Sequence, residues 1–452
     1  MGEKSTADLK RVLSFRHVVF FGLAFMAPST VFGTYGVAAF QSDGMIATGY
    51  IIALFVMLFT AYSYAQLVKA YPSAGAAYTF TKKAIHPHLG FLVGWAILLD
   101  YMLSPMISSL LLGIALKAFF PSIPMFVWII LFVIIFTAVN ILGIKFAANF
   151  NTYVFLISLL VFVLFVVFAL HYLLKGEGAG TAFSILPFYD QEVPLSGLIG
   201  VIPILCFTYL GFDAVTALSE ETKNPTKTIP KAIFIIPIVG SILYVIVTYL
   251  LQLVYPNISS FTDPQSVQYE IAYLIGGIFF KTFFVVTGII PSLTSAIASS
   301  SSASRIMYAM GRENILPKKI FGYISPKFHT PVYNILIVAF VALSSLLFNL
   351  TTATSLINFG AFFTFIFVNI SVISHYFIKK RNRSFKGTIK YLIIPSIGAV
   401  FILCLWLNLG WYSFFLGGLW LVVGFIYLLK QIKESKQSTS DIFLDNEYES
   451  NH

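Results

Sequence analysis

One stretch of the sequence decides the fold: Gly22-Leu-Ala-Phe-Met-Ala-Pro28-Ser29-Thr30-Val-Phe-Gly33-Thr34-Tyr35-Gly36. It places proline, glycine and hydroxyl side chains inside an apolar run that extends from residue 17 to residue 40. Proline lacks a backbone donor and glycine permits non-helical dihedral angles, so the stretch predicts an interrupted helix. Irregular backbone at membrane depth is tolerated only where it is buried in protein or lines a wet cavity.

A second apolar run, residues 197–219, contains a comparable stretch: Pro203-Ile-Leu-Cys-Phe207-Thr208-Tyr209-Leu-Gly211-Phe-Asp213. Both interruptions begin about ten residues into their runs, and the two runs are the first and the sixth in the chain. Corresponding interruptions in two halves indicate an inverted-repeat transporter with its site near the bilayer midplane. We therefore expect unwound backbone near residues 28–33 and 207–211. Two kinked helices that only pack against their neighbours are the alternative.

The composition supports a membrane protein. Of 452 residues, 10% are charged and 58% are hydrophobic, and the mean hydropathy is +0.88. These values exclude an ordinary soluble enzyme, a disordered chain and a coiled coil. The sequence predicts an all-α polytopic membrane protein with about twelve transmembrane helices. The predicted spans are residues 17–40, 45–69, 90–119, 124–143, 149–174, 197–219, 231–255, 273–304, 333–350, 355–378, 389–408 and 411–429.

The basic residues predict the orientation. The net charge is +10, which in a soluble protein would suggest nucleic acid as a partner, but here the cations lie in short loops between apolar runs. With both termini in the cytoplasm, the outer segments hold only Lys117, Lys175 and Lys281 of the 28 Lys and Arg residues. This asymmetry is the positive-inside pattern. We expect a multi-pass protein of the plasma (inner) membrane that contacts the lipid bilayer and no nucleic acid.

The span pattern divides the chain into four parts. Residues 1–16 form an N-terminal cytoplasmic tail, and residues 17–378 form a transporter core with repeats at about 17–174 and 197–378. Residues 379–430 supply two peripheral helices. Residues 431–452 are polar and are expected to form a disordered cytoplasmic tail. The chain has no phosphate-binding loop, and its two cysteines and seven histidines have no metal-ligand spacing, so we predict neither an ATP-driven pump nor a metal site.

Acidic and hydroxyl side chains within the spans mark candidate functional positions. Asp213 lies in the second interruption and Asp100 lies about ten residues into the third span. A carboxylate at mid-bilayer depth needs a partner and is a functional candidate. For Asp100, a structural hydrogen bond to a neighbouring helix is the alternative. Glu220 and Glu221 are expected to pair with loop lysines at the inner face. The eighth span is rich in serine, which indicates close helix packing or a hydroxyl-lined pathway.

Three longer motifs resemble the APC superfamily, the amino acid–polyamine–organocation transporters. They are Tyr71-Pro72-Ser-Ala-Gly75-Ala-Ala-Tyr78, the stretch from Gly211 through Glu220-Glu221 to Asn224-Pro225 and Ile229-Pro230-Lys231-Ala232, and Ser304-Arg305-Ile-Met-Tyr308-Ala-Met-Gly311-Arg312-Glu313-Asn-Ile-Leu-Pro317. The phrases Ala148-Asn149-Phe150-Asn151-Thr152, Ile357-Asn358-Phe359-Gly360-Ala361 and Gly322-Tyr323-Ile-Ser-Pro326-Lys327 are most similar to the bacterial putrescine importer branch. The resemblance extends from about Arg16 to Lys430. It implies a 5+5 inverted repeat with broken helices 1 and 6, plus two peripheral helices.

The resemblance also implies a substrate site between the broken helices. The implied substrate-binding residues are Ala27, Ser29, Thr30, Gly33, Thr34, Tyr101, Phe207, Thr208, Tyr209, Asp213, Ser295, Ser299 and Asn358. Phe207 matches an aromatic gate over the substrate, and Asp213 matches an acid tied to ion coupling in some relatives. Half-helix N–H groups would receive an anionic group, while freed carbonyls would receive an ammonium group or a cation.

Two positions depart from the pattern of the relatives. Gly33 stands where we expect an acidic residue in putrescine importers, which removes one anchor for a second ammonium group. Ser158 appears at the position where some proton-coupled relatives carry a lysine. The candidates for coupling are therefore Asp213, Asp100 and the Ser158 position, with a proton or sodium as the ion. No cofactor is expected.

The predicted function is secondary active import of a small amine or amino acid by alternating access, and not an enzymatic reaction. The resemblance favours putrescine, whereas the missing acid at Gly33 favours a neutral or cationic amino acid. A channel would need a selectivity filter, which the sequence lacks. A sensor that binds an amino acid without moving it is a remote alternative. The oligomeric state is left open.

Overall fold

The protein is described by a computed structural model that covers residues 11–120, 122–191, 193–260, 264, 267–346 and 350–449. Most of the predicted N-terminal tail, residues 1–10, and the last three residues of the predicted C-terminal tail lie outside the described residues. The described part is built from helices, and its one β-bridge joins Leu13 to Thr222. The all-α class predicted from the sequence is confirmed.

Sixteen α-helices are described, several of them continued by short 3₁₀ or π segments. They are α1 Phe15–Met26, α2 Thr30–Ser42, α3 Ile46–Ala70, α4 Ala76–Ala84, α5 Pro87–Phe119, α6 Met125–Leu142, α7 Ile144–Leu174, α8 Leu195–Phe207, α9 Pro225–Val254, α10 Val267–Arg312, α11 Lys318–Phe321, α12 Val332–Leu343, α13 Leu350–Val372, α14 Phe385–Thr388, α15 Ile394–Leu407 and α16 Trp411–Glu449. A 3₁₀ segment, Ala214–Leu218, follows α8, and π-helical segments Ile373–Lys379 and Ile389–Ile393 flank the loop before α15.

The helices have the lengths that a bilayer requires. Within the described residues, nine helical segments are long and apolar enough to cross a membrane, and Leu195–Phe207 and Val332–Leu346 are shorter apolar helices. The chain is thus a polytopic membrane protein. The count of twelve spans stays a prediction. The predicted eighth span, 273–304, lies within α10, which begins earlier and bends where Gly276 and Gly277 leave the helical region.

Both predicted interruptions are present. The first separates α1 from α2 and consists of residues 27–29, with Ala27 in the left-handed region at φ 42°. The helix resumes at Thr30, so Gly33 is helical and the prediction of unwinding as far as residue 33 was wrong. The reason is that Pro28 precedes the N-cap Ser29 and lies outside α2, so its missing N–H removes no hydrogen bond from that helix, and the packing of α2 keeps Gly33 helical. The second interruption begins after Phe207, as predicted.

The centre of the bundle is polar for a membrane protein. Helix α5 packs against α10 and α13, and α3 packs along α9. Seven tyrosines are fully buried in the described bundle: Tyr35, Tyr50, Tyr64, Tyr78, Tyr101, Tyr209 and Tyr244. The outer helices α15 and α16 instead expose apolar side chains, such as Val400 at 57% and Phe415 at 61%. This distribution fits a lipid-facing periphery around a hydrogen-bonded centre.

The C-terminal tail differs from its prediction. Residues 431–449 continue α16 as helix, whereas a disordered segment was expected. Straight-chain Gln, Lys and Glu residues have high helix propensity, and the sequence from residue 425 to residue 449 contains neither glycine nor proline. Polarity alone therefore gave the wrong prediction for this segment.

Candidate functional site

The first broken helix is held open by a contact with α10. The hydroxyl of Ser295 donates a 2.9 Å hydrogen bond to the backbone carbonyl of Phe25, in the last turn of α1. Carbonyls at a helix end have no partner within their own helix and need one from elsewhere. Ser295, a predicted site residue, therefore stabilises the end of α1, and Ala27 lies immediately beyond that end.

The second interruption is held by tyrosines. The Tyr244 hydroxyl donates a 2.7 Å hydrogen bond to the Thr208 carbonyl, and the Tyr209 hydroxyl donates a 2.9 Å bond to the Tyr50 carbonyl. The Thr208 hydroxyl donates to the Leu205 carbonyl at 2.7 Å. The Thr208 carbonyl, in the predicted interruption, thus accepts a hydrogen bond from a side chain of α9.

The second interruption packs against the end of α1 at Gly211. This residue has φ +109°, a conformation that favours glycine. A Cβ atom added there would lie 2.1 Å from Cδ1 of Phe25, in the last turn of α1. A side chain at position 211 is therefore excluded both by backbone conformation and by the Phe25 ring.

Asp213 is the centre of a buried hydrogen-bond cluster. Its Oδ2 accepts hydrogen bonds from the hydroxyl of Tyr101 at 2.6 Å and from the hydroxyl of Tyr64 at 3.2 Å. The residue is fully buried, and its Oδ1 makes no hydrogen bond within the described structure. The backbone N–H groups of Gly211 and of Asp213 itself lie beside the carboxyl group. Three helical regions therefore meet at this one side chain.

Asp100 lies next to this cluster. It precedes Tyr101 in α5, is fully buried and interacts electrostatically with Asp213. Its Oδ1 accepts a 3.2 Å hydrogen bond from the hydroxyl of Ser104 in the same helix, while Oδ2 is buried with no hydrogen-bond partner among the described residues. The expected bond from Asp100 to a neighbouring helix is not among the described contacts. Instead, the side chain adds a second acidic group to the surroundings of Asp213.

The two carboxyl groups have a clear chemical consequence. Every ion pair found in the described residues involves other acids, so neither Asp100 nor Asp213 has a cationic side chain as partner there. A buried acid without a counter-charge is costly unless it is protonated or paired. The cluster can therefore accept a proton, a metal cation or an ammonium group on the oxygens that lack partners. Within the same residues, no three His, Cys, Asp or Glu side chains converge as in a protein metal site.

One face of α2 is accessible although the helix lies within the bundle. Thr30, Gly33, Thr34 and Val37 are at least partly exposed and recur at helical spacing, whereas Phe32 and Tyr35 on the other face are buried. Thr34 donates to the Thr30 carbonyl at 3.0 Å. A Cβ atom at Gly33 would meet no described atom within 4 Å. Within the described residues, α2 therefore has one accessible face that begins at the first interruption.

The opposite end of the bundle is closed by ion pairs, and we call it the basic end. Arg305 is 2% exposed and forms a two-pronged pair with Glu221, which includes a 2.9 Å bond from Nη2 to Oε1. Arg312 pairs with Glu220 at 3.0 Å. The two glutamates thus pair with arginines of α10, and the prediction of loop lysines was wrong. Guanidinium groups suit such sites because they bind carboxylates in a two-pronged geometry.

A third ion pair joins α4 to the end of α10. Lys82 and the Tyr78 hydroxyl both donate to Oε2 of Glu313. Burial alone would raise the pKa of the Glu313 carboxyl, but these two donors and the nearby charges of Lys82 and Arg312 outweigh it and lower the pKa. The carboxylate is therefore held in its charged form, and the basic end is closed around it.

The remaining predicted residues have other described surroundings than the acidic cluster. The Ser299 hydroxyl donates to the Ser295 carbonyl in its own helix at 2.7 Å. Asn358 is buried on α13, and its Oδ1 has no partner within the described part of the chain. Ser158 is buried on α7, Phe207 is half-buried at the end of α8, and Ser29 is half-buried in the first interruption. The described contacts do not join these residues to Asp213.

Sequence reasoning missed three tyrosines of this site: Tyr50, Tyr64 and Tyr244. Each hydroxyl is buried in a membrane-spanning helix. The hydroxyl of Tyr50 contacts Thr34, that of Tyr64 contacts Asp213, and that of Tyr244 contacts the Thr208 carbonyl. Buried tyrosines usually find a hydrogen-bond partner. A tyrosine in the middle of an apolar span was therefore the signal that could have found them.

The chain matches a known protein family over most of its length. The model of the amino acid permease family matches residues 17–440. The chain belongs to the amino acid permease family. This confirms the predicted resemblance to the APC superfamily and assigns the chain to transporters, not enzymes.

Several relatives align with this permease over almost the full length of both chains. The low-affinity putrescine importer PlaP of Escherichia coli strain K12 is 42% identical over 94% of both chains. The branched-chain amino acid permease BcaP of Bacillus subtilis strain 168 is 27% identical over 96% of this chain and 95% of its own. The methylthioribose transporter of the same organism is 27% identical over 96% of both chains. The permease is thus similar to transporters of chemically different small molecules.

Proposed function

We propose that the chain imports small amines, and a diamine of the putrescine type in particular. The observation that carries the proposal is the pair of buried acids, Asp100 and Asp213, each with one carboxylate oxygen that lacks a partner in the described structure. A diamine has two ammonium groups and no carboxylate. Burying it requires acidic groups near the substrate, because an unpaired buried charge is costly.

The relatives support the same substrate class. The putrescine importer PlaP is 42% identical over 94% of both chains. The missing acid at Gly33 weakens one anchor, but Asp100 supplies a second acidic group beside Asp213. In this proposal Asp213 binds one ammonium group, Asp100 contributes to the second, and Phe207 covers the substrate.

A neutral or cationic amino acid is the second candidate. Helix α2 begins at Thr30, directly after the interruption, and its first N–H groups favour an anion such as the substrate carboxylate. Gly33 lies on the accessible face of this helix and adds no negative charge there. Relatives such as BcaP are amino acid permeases.

We further propose a location and a mode of transport. The asymmetry of the lysines and arginines supports a plasma-membrane protein with both termini in the cytoplasm, so that the basic end faces inward. In that orientation the open face of α2 leads outward, and the closed ion pairs separate the site from the cytoplasm. Alternating access would exchange these two arrangements, coupled to a proton or to sodium at Asp213, Asp100 or near Ser158.

Uptake of labelled putrescine by proteoliposomes decides between the two substrate classes. We expect concentrative uptake that unlabelled diamines inhibit and that neutral and cationic amino acids do not. Counterflow of the labelled substrate separates a transporter from a protein that only binds it. If an amino acid is taken up and putrescine is not, the amine proposal is wrong and the absence of an acid at Gly33 was the better guide.

A further inference from the structure

The loop between α13 and α15 combines a cavity with an unusual charge density. The cavity has a volume of about 230 Å³ and is lined by Asn382, Ser384, Lys386, Gly387, Lys390 and Tyr391. Six of the twelve residues from 379 to 390 are basic, and none is acidic. All six are exposed: Lys379, Lys380, Arg381, Arg383, Lys386 and Lys390.

These cations differ from the others at the basic end. Lys82, Arg305 and Arg312 each pair with a glutamate. None of the six loop cations forms an ion pair with a carboxylate among the described residues. Lys380 and Arg383 instead lie 5.2 and 5.5 Å from the ring centres of Tyr376 and Phe377. The positive-inside rule explains cations here, but it does not explain a cavity that Lys386 and Lys390 line beside uncharged residues.

The walls of the cavity are fixed by specific contacts. Gly387 is buried, and a Cβ atom there would lie 2.4 Å from the carbonyl oxygen of Asn382, so the loop folds tightly only with glycine. The Ser384 hydroxyl accepts a 3.1 Å hydrogen bond from the Gly387 N–H. Tyr391 stacks on Tyr376 at a ring distance of 4.5 Å. The cavity is therefore formed before any ligand binds.

An apolar stripe leads away from this cavity along α15. Lys390, Ile393, Ile397 and Val400 recur at helical spacing and are exposed, the last three at 45%, 36% and 57%. Phe385 beside Lys386 is 82% exposed. A ligand on this surface would contact positive charge at the cavity and apolar side chains along α15.

We propose that this cavity binds the phosphate-bearing headgroup of an anionic phospholipid, with an acyl chain along the α15 stripe. Lys386 and Lys390 attract the phosphate, and the Asn382 and Ser384 side chains add hydrogen bonds to its oxygens. Basic pockets between transmembrane helices are suited to anionic headgroups. The stripe on α15 favours a lipid over free phosphate, which would gain nothing from an apolar face. This inference requires only a membrane location, and it is independent of the transported substrate.

Titration of the purified full-length protein tests the proposal. Phosphatidylglycerol, phosphatidylcholine and inorganic phosphate are added separately to protein in detergent, and bound lipid is counted by native mass spectrometry. We expect retention of phosphatidylglycerol only, and about tenfold weaker binding in the double variant K386Q/K390Q. The matched control is K318Q/K319Q, which removes two exposed lysines of α11 at the same end of the protein. The conservative variant K386R/K390R should retain binding.

Three results would overturn the proposal. Equal binding of phosphatidylcholine would show that charge does not select the ligand. Binding of inorganic phosphate without binding of phosphatidylglycerol would assign the cavity to a free anion. An equal loss in K386Q/K390Q and K318Q/K319Q would show a general effect of net charge. Putrescine uptake is measured in parallel in detergent-free vesicles that contain each variant. Loss of lipid binding and loss of putrescine uptake are then seen separately, so failure of one proposal is not mistaken for failure of the other.

Discussion

The hydroxyl of Tyr101 lies 2.6 Å from Oδ2 of Asp213, although the two residues are 112 positions apart in the chain. This bond joins α5 to the segment that follows α8. It also sets the position of Asp100, the residue before Tyr101, relative to the second acid. The geometry of the acidic cluster therefore depends on Tyr101.

Removing this hydroxyl should weaken transport without unfolding the protein. A hydrogen bond to a charged group contributes about 1.5–3 kcal/mol, so Tyr101→Phe should lower the uptake rate at low substrate by roughly tenfold or more. Tyr64→Phe removes the longer 3.2 Å bond and should have a smaller effect. Tyr273→Phe, at a 54% exposed position, is the control. Equal uptake in all three variants would contradict a role for the cluster.

Asp213 should be needed for accumulation and for its pH dependence. Asp213→Asn keeps the size of the side chain and removes its charge, so the protein should fold but lose concentrative uptake. Asp100→Asn should reduce affinity for a diamine more than affinity for a monoamine, because it removes the second acid. Initial rates of labelled uptake over a range of external pH measure both effects. An Asp213→Asn variant that matches the unchanged protein at every pH would rule this role out.

Gly33 offers a gain-of-function test of the substrate class. A Cβ atom there meets nothing within 4 Å in the described structure, so Gly33→Asp should be accommodated. The added carboxylate should raise the affinity for putrescine by about tenfold, the scale of one charged hydrogen bond, and should lower the uptake of any amino acid. Gly33→Asn has the same shape without the charge and is the matched control. If both variants change the competition profile in the same way, size and not charge is responsible.

The ion pairs of the basic end should differ in their contributions to stability. Arg305 and Glu221 are each 2% exposed, so Arg305→Gln leaves a buried charge and should cost about 3–5 kcal/mol of folding free energy. Arg312 and Glu220 are 43% and 22% exposed, and Arg312→Gln should cost at most about 1 kcal/mol. Thermal unfolding midpoints in detergent compare the two variants. Similar midpoints would mean that the Arg305 pair is not desolvated as described.

The contribution of Glu313 should depend on pH in a defined direction. Its pKa is lowered from the ordinary value of 4.5, so the folded protein binds a proton at Glu313 less readily than the unfolded chain does. The resulting stability is present above about pH 4.5 and disappears as the pH falls through the lowered pKa. The difference in unfolding midpoint between the unchanged protein and Glu313→Gln should follow this course. Glu177→Gln, which replaces a glutamate at an exposed position, is the matched control variant.

The parts of the fold that the sequence predicts are those with local causes. Pro28 and Gly211 signal a break wherever they lie in an apolar run, because the missing donor and the permitted dihedral angles belong to the residue itself. The helical conformation of Gly33 has no such local signal, since it depends on how α2 packs. The basic segments between the apolar runs are likewise counted from the chain alone.

The parts that sequence reasoning missed depend on partners far along the chain. Tyr64 and Asp213 are 149 positions apart, and Arg305 and Glu221 are 84 positions apart. Charge balance predicted that the two glutamates are paired, but only the packing of α10 against the segment after α8 shows that the partners are arginines. The same holds for Ser295, a predicted substrate-binding residue, whose hydroxyl donates a hydrogen bond to the Phe25 carbonyl, 270 positions away in the chain.

The contact between Gly211 and Phe25 has a mechanical consequence. The Phe25 ring fills the space that any side chain at position 211 would need, so the end of α1 packs directly against the second interruption. A change of backbone conformation at Gly211 requires the Phe25 ring to shift, and a shift of that ring reaches Gly211. We therefore expect movements of α1 and of the segment after α8 to be coupled through this contact.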